Sequence, residues 1–289
     1  MEKPEATLPL HDGIRMEVRV QRHITTVLLL ALALGPFRWV TASAQDRFSR
    51  ALGYESEMRW SEALSEYVEI LKRDPTNAQA HYRLGVVQMK VGATADALKS
   101  YQEALRLNPN MGEALHALEG YYINHGVALR RSNQPAEAIH AFRQALTYNP
   151  SSVTAYLELG EEFDRLGQLD EAVTAYRQAI ALDSHNSTAH ARLAAIYAKQ
   201  GQQQQAVQEF QEVLRLNPKD PVAHHGLGVA YHALGRRDEA IAALQQAIRF
   251  YLIAGQRDKA QPAYELQKKL LAEKVPAPTG KKQPKDRQN

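Results

Sequence analysis

A fixed interval between alanines limits what this chain can fold into. Ala63 and Ala97 stand 34 residues apart, and the same interval separates Ala138 from Ala172, Ala172 from Ala206 and Ala206 from Ala240. In step with them, small residues recur at Ala51, Gly85, Gly126, Gly160, Ala194 and Gly228. Large groups recur at Tyr67, Tyr101, Phe142, Tyr176, Phe210 and Leu244. Such a period describes a unit that cannot bury its own apolar face and must stack on copies of itself.

The unit is clearest over 78–111. One helical run carries Leu84 and Gly85, Gly92 follows in a gap, a second run carries Ala97, Tyr101 and Ala104, and Pro109 closes it. The small residues let two helix backbones approach, and the rings are expected to fill the gap between successive hairpins. Gly92, Gly167, Gly201 and Gly235 follow first helices, where a left-handed cap favours glycine, and Asn133 replaces it in the third copy. Pro135 suits a first helical turn. The pairs Asn108-Pro109, Asn149-Pro150 and Asn217-Pro218 end second helices, because a residue before proline is pushed out of the helical region.

This Leu-Gly, aromatic, Ala, aromatic, Ala, Pro pattern resembles the tetratricopeptide repeat family. The resemblance implies an all-α fold, a right-handed superhelical solenoid of antiparallel helix pairs. Its six repeats would be 44–77, 78–111, 119–152, 153–186, 187–220 and 221–254. The family's tryptophan position is held here by His81, Tyr122, Tyr156, His190 and His224. Three departures stand out. Ala97 to Ala138 is 41 residues, so 112–118 is a seven-residue insertion, close to two helical turns, and reads as a lengthened first helix. Ser184 replaces a proline and leaves the array intact. Leu252 replaces another, so the helix from about Glu239 runs on to Gly255. Residues 255–274 then read as a polar capping helix and 275–289 as a disordered basic tail.

The beginning of the chain reads as an address. Arg15, Arg19 and Arg22 precede an uncharged run from Ile24 to Leu34, and Ala42-Ser43-Ala44 follows. That is the order of a secretory signal, residues 1–44, with cleavage after Ala44. Spanning a bilayer takes about 20 apolar residues, and Arg38 interrupts too early, so an uncleaved N-terminal anchor is the second reading. Glu2, Glu5 and Asp12 dilute the basic start, and translation from Met16 gives a more ordinary leader. The mature protein is therefore expected outside the cytoplasm, periplasmic or secreted, with no stable membrane span.

Composition removes whole classes of function. The 35 Lys and Arg against 32 Asp and Glu leave +3, which the basic residues Lys274, Lys281, Lys282, Lys285 and Arg287 near the end exceed, so the body carries no field for nucleic acid. The absence of cysteine excludes disulfides, thiolate metal sites and a thiol nucleophile. No phosphate loop, dinucleotide fingerprint or nucleophile elbow occurs. Acids at helical spacing such as Glu158, Glu161, Glu162 and Asp164 read as a solvated or partner-facing patch rather than an acid and base pair. His225 and His232 lie seven apart, about 10 Å along a helix, too far to share a metal directly. Neither a catalytic residue, a cofactor nor a metal is expected, and an enzyme built on His225, His232 and Glu161 is the weakest of three classes considered.

What remains is surface. In the family the resemblance points to, first helices line a concave groove that holds a peptide. Matched position by position, that groove would offer Tyr82, Val86 and Met89 in the second copy and Ile123, Val127 and Arg130 in the third. The fourth would add Leu157, Glu161 and Asp164, and the sixth His225, Val229 and His232. The expected function is an exported, non-enzymatic scaffold binding a protein or peptide, the acids selecting basic or polar partners. The alternative is an accessory subunit of an envelope polysaccharide, pilus or secretion assembly, or of an envelope enzyme.

Overall fold

The computed structural model describes residues 35–273, with side chains from Gln45 onward. The expected leader therefore lies outside the described residues over 1–34, and the expected tail over 274–289. In chain order the helices are α1 (Gly35–Ser56), α2 (Trp60–Arg73), α3 (Ala78–Lys90), α4 (Thr94–Leu107), α5 (Gly112–Arg131), α6 (Pro135–Tyr148), α7 (Val153–Arg165), α8 (Leu169–Leu182), α9 (Ser187–Lys199), α10 (Gln203–Leu216), α11 (Pro221–Ala233), α12 (Arg237–Ile253) and α13 (Arg257–Ala272). The described residues contain no strand. None of their helices is long and apolar enough to cross a membrane. Whereas α3, α7, α9 and α11 each have 13 residues, α5 has 20.

Two compact units divide the chain, one up to Leu115 and one from His116. In the first, α2 packs on α1 and α3, and α3 on α4. In the second, each helix from α6 to α13 packs on the next. The second helices α2, α8 and α10 are thereby sandwiched between their own first helix and the following one, which is how a two-helix unit buries both sides of its apolar stripe.

The turns repeat one chemistry. The residue closing each second helix, Asp74, Asn108, Asn149, Asp183 or Asn217, accepts through its side chain from the backbone N–H two residues on, at 3.1 to 3.4 Å. This local bond accounts for Ser184. Asp183 makes the same turn without a following proline, and Asn186 Nδ2 donates to it as well, at 3.2 Å. First helices are capped by Asn77, Ser152, Asn186 and Asp220, whose side chains accept from helical N–H groups. Left-handed backbone occurs at Gly92, Gly167, Gly201, Gly235, Gly255 and Asn133. It also occurs at Met58 (φ 58°), which nothing in the sequence singles out.

The rings meet small residues of the first helices. Tyr101, Phe142 and Tyr176 lie against Gly85, Gly126 and Gly160 of their own pair. A Cβ on each glycine would come within 2.7, 2.5 and 2.6 Å of the ring, respectively. Phe210 lies against Gly226 of the following helix. The Tyr176 hydroxyl is buried with no hydrogen-bond partner, and burial raises its pKa above the ordinary tyrosine value. Phe142 and Phe210 occupy the equivalent position without a hydroxyl. Tyr176→Phe is thus expected to stabilise the protein by about 1 kcal/mol by deleting an unsatisfied group. A calorimetric midpoint that fell would show that the hydroxyl has a partner.

The position of the family's tryptophan has a polar use here. His81, His190 and His224 each direct Nε2 at the carbonyl six residues earlier, of Pro75, Ser184 and Pro218, at 3.0, 3.3 and 3.1 Å. An imidazole N–H pins the preceding loop to the helix. Buried His190 also meets Glu209 through Nδ1 at 2.6 Å. Both of its ring nitrogens therefore face oxygen atoms.

Candidate partner-binding face

Within the second unit the groove residues expected from the sequence fall on the first helices α5, α7 and α11. None of the nine is buried: Ile123, Val127, Arg130, Leu157, Glu161, Asp164, His225 and His232 are half-buried, and Val229 is 41% exposed. In the first unit Tyr82, Val86 and Met89 are half-buried on α3. Tyr82 is partly committed to packing. It lies 5.8 Å from the Tyr101 ring and against the buried cluster of Ala104, Met111 and Ala114.

The expected acidic patch is not a free one. Arg130 on α5 reaches across to α7, 2.7 Å from Glu158, 3.8 Å from Glu161 and 3.9 Å from Glu162. Arg192 on α9 approaches Glu161 from the other side at 3.8 Å, and Lys199 pairs with Asp164. Glu162, fully buried, also receives Arg165 at 3.0 Å. The acids are therefore rungs of a ladder of opposite charges joining the first helices α5, α7 and α9.

Arg192, Lys199 and Arg165 were not among the residues picked from sequence. A signal for the ladder exists in the spacing. Arg130 and Glu158 are 28 residues apart, as are Glu55 and Arg83 of the first unit, which meet at 3.5 Å. Arg130 to Glu161 and Glu161 to Arg192 are each 31. In a 34-residue repeat those offsets place side chains opposite one another on adjacent first helices.

Beyond α9 the ladder stops. The residues of α9 in the positions of Leu157, Glu161 and Asp164 are Ala191, Ala195 and Ala198, all half-buried, and α9 and α11 are in direct contact. Small groups on α9 and His225, Val229 and His232 on α11 thus make a low-bulk stretch without carboxylates or fixed cations. Burial holds the His225 imidazole below its ordinary pKa of 6.5, so the folded protein prefers the ring neutral. Its stabilising contribution is present above that pKa and is lost as pH falls below it. His225→Gln is expected to reduce the loss of urea resistance between neutral and mildly acidic pH. Parallel losses in variant and parent would contradict this. Among the described residues no three His, Asp or Glu side chains are grouped to hold a metal.

A comparison with protein families now bears on this surface. The family model described as the Cilia and flagella-associated protein 70 C-terminal domain, a tetratricopeptide repeat model, matches residues 43–275. The chain belongs to this tetratricopeptide repeat family. Its all-α helical repeat solenoid is a protein-interaction scaffold fold. Among relatives, this tetratricopeptide repeat protein is 27% identical over 132 residues to the Photosystem I assembly protein Ycf3 of Cyanophora paradoxa, covering 45% of this chain and 76% of that protein. A stretch of 57 residues is 42% identical to the Protein O-mannosyl-transferase F38B6.6 of Caenorhabditis elegans, but it spans only 8% of that enzyme. Among solved structures, the fold is similar to that of YrrB, described as a TPR protein with an unusual peptide-binding site. The TM-score is 0.50 at 21% identity, covering 69% of this chain and 97% of that one.

Proposed function

We propose that this protein is an exported scaffold, without catalysis of its own, that seats a segment of a partner protein on the first-helix face of the 116–273 unit. The observation that carries the reading is the contrast along that face. Charges on α5, α7 and α9 are paired with one another, while the α9–α11 stretch exposes Val229 between two histidines beside three alanines. A partner gains most where apolar surface is open and no internal ion pair has to be broken. The anchor is therefore an apolar side chain over Ala195 and Val229, flanked by groups that hydrogen-bond His225 and His232.

The test is quantitative capture of partners by the tagged full chain, followed by titration of the recovered partner. Val229→Asp, at an exposed site, is expected to weaken binding tenfold or more without lowering the melting midpoint. Arg192→Ala is expected to leave binding within twofold. Equal binding by the Val229→Asp protein and its parent would overturn the anchor. Export predicts mature protein beginning at Gln45 in the extracytoplasmic fraction, and intact Met16 there would overturn cleavage.

A second reading is an assembly factor that positions subunits of an envelope polysaccharide, pilus or secretion complex. Its support is the relative whose name is that of an assembly protein. Stable co-purification of one subunit of such a complex would favour it over binding of many short segments.

A further inference from the structure

The last helix turns outward a ring that other copies turn in. Tyr264 stands four residues after Ala260, as Tyr101 stands four after Ala97 and Tyr176 four after Ala172. Tyr101 and Tyr176 are buried, whereas Tyr264 is 48% exposed. With Arg257, Gln261, Lys268 and Leu271 it forms a stripe at intervals of four, three, four and three residues. Such spacing is one face of a helix, here about 21 Å long. All five side chains are exposed. Interleaved with them, Ala260, Ala263 and Leu270 are buried in the core of the unit.

Hydrogen bonds to α12 fix which side of α13 faces out. Arg237 donates through Nε to the Leu270 carbonyl at 2.9 Å and through Nη2 to that of Glu273 at 3.3 Å, satisfying acceptors at the helix end. Gln267 Nε2 donates to the Ile241 carbonyl at 3.3 Å. The charge of this end is one-sided. From Arg257 to Asn289 the sequence has nine Lys and Arg against four Asp and Glu, while the rest of the chain has 26 against 28. Arg257, Lys259, Lys268 and Lys269 are exposed and make no ion pair among the described residues. The cations of the groove ladder, by contrast, are paired.

We propose that the outer face of α13 docks on an anionic lipid bilayer. The helix lies flat in the interface, with the Tyr264 ring at the headgroups, Leu271 among the acyl chains and Arg257 and Lys268 on lipid phosphates. No helix among the described residues is long and apolar enough to cross a membrane, so the attachment is peripheral. The kind of cation favours lipid over an acidic protein. Seven of the nine basic residues are lysines, point charges that attract mobile phosphates without needing a fixed geometry, whereas protein interfaces are enriched in arginine and depleted in lysine. Lysine stems also lie along apolar surface while their ammonium groups reach outward. This surface goes beyond the groove reading and stands without it.

The test reads the face locally. Because the chain has no cysteine, a polarity-sensitive dye can be attached to the full chain at Ala272→Cys, beside Leu271, or at Val229→Cys on the groove face. Vesicles of phosphatidylcholine with about 30% phosphatidylglycerol, an anionic surface, should shift the Ala272 dye to the blue and leave the Val229 dye unshifted. Vesicles of phosphatidylcholine alone should shift neither. Titrating the Ala272 shift gives a partition coefficient, expected to fall tenfold or more with Lys268→Glu and Lys269→Glu together. It should fall as far with Tyr264→Ser and Leu271→Ser together, which keep every cation. All four sites are exposed, so melting midpoints should stay at the parent's value. Raising NaCl from about 0.1 to 0.5 M, which alters no residue, should weaken partitioning by screening. The proposal is overturned by an Ala272 dye that does not shift, by an equal shift on neutral vesicles, or by partitioning that the serine pair leaves unchanged. A shift produced by soluble polyglutamate and not by vesicles would assign the face to an acidic protein and overturn it as well.

Discussion

Arg130→Ala is expected to destabilise the 116–273 unit by about 3 kcal/mol, at the low end of what removing one member of a buried ion pair costs. The guanidinium side chain is only 15% exposed and stands between Glu158 at 2.7 Å and fully buried Glu162 at 3.9 Å. Its removal leaves Glu158 without that partner and Glu162 with Arg165 alone, whose side chain is 44% exposed. The surviving Arg165 contact is what keeps the expected cost from the upper end. Restoring neutrality should return much of the loss, so Glu158→Gln with Glu162→Gln in the Arg130→Ala background is expected to be more stable than Arg130→Ala alone. Arg192→Ala, by contrast, removes a rung whose side chains are 51% and 39% exposed, and such pairs contribute about 0–1 kcal/mol. Urea unfolding of the three variants checks the ordering. Equal shifts for Arg130→Ala and Arg192→Ala would show that the ladder is a surface feature throughout.

The difference between those rungs marks where sequence reading reaches its limit. The repeat, the all-α fold and the left-handed caps at Gly92, Gly167, Gly201, Gly235 and Asn133 were legible because each follows from local chemistry. A positive φ favours glycine or asparagine, and a 34-residue period requires stacking. Met58 was not legible, since its left-handed backbone follows from its place in the turn and not from its side chain. The placement of Tyr101, Phe142 and Tyr176 was half legible. Their alternation with glycines is visible in the sequence, but the same pattern fits a ring against its own pair or against the next, and only the packed geometry decides. The acids at Glu158, Glu161 and Asp164 were recognised and their partners were not, because helix-local reading looks three or four residues away. Arg130, Arg192 and Lys199 lie about a full repeat away on neighbouring helices. His125, exposed on α5 where other copies bury a leucine, was missed for the converse reason. A histidine in a leucine position looks like ordinary variation until the copies are aligned against burial.

The second large effect concerns the ring and glycine pairs, and it tests whether they act as units. Phe142→Ala is expected to cost about 3–5 kcal/mol. The ring is fully buried, and the surface it covers is Gly126, which has no side chain to move into the space. It also supports Arg130, whose guanidinium lies 5.9 Å from the ring centroid, so its effect should not add to that of Arg130→Ala. Gly126→Ala alone is expected to destabilise by about 1–3 kcal/mol. Its Cβ would fall 2.5 Å from the ring, closer than any relaxed contact, in a site where both helices are fixed by packing. In the Phe142→Ala background the sign should reverse. The added methyl then occupies vacated space, and alanine is the better helix former by about 1 kcal/mol, so the double variant should be more stable than Phe142→Ala. A double-mutant cycle by urea unfolding measures that coupling. If Gly126→Ala destabilised both backgrounds equally, the glycine would be required by its backbone alone and the pairing of ring with glycine would not be what holds the two helices at their present distance.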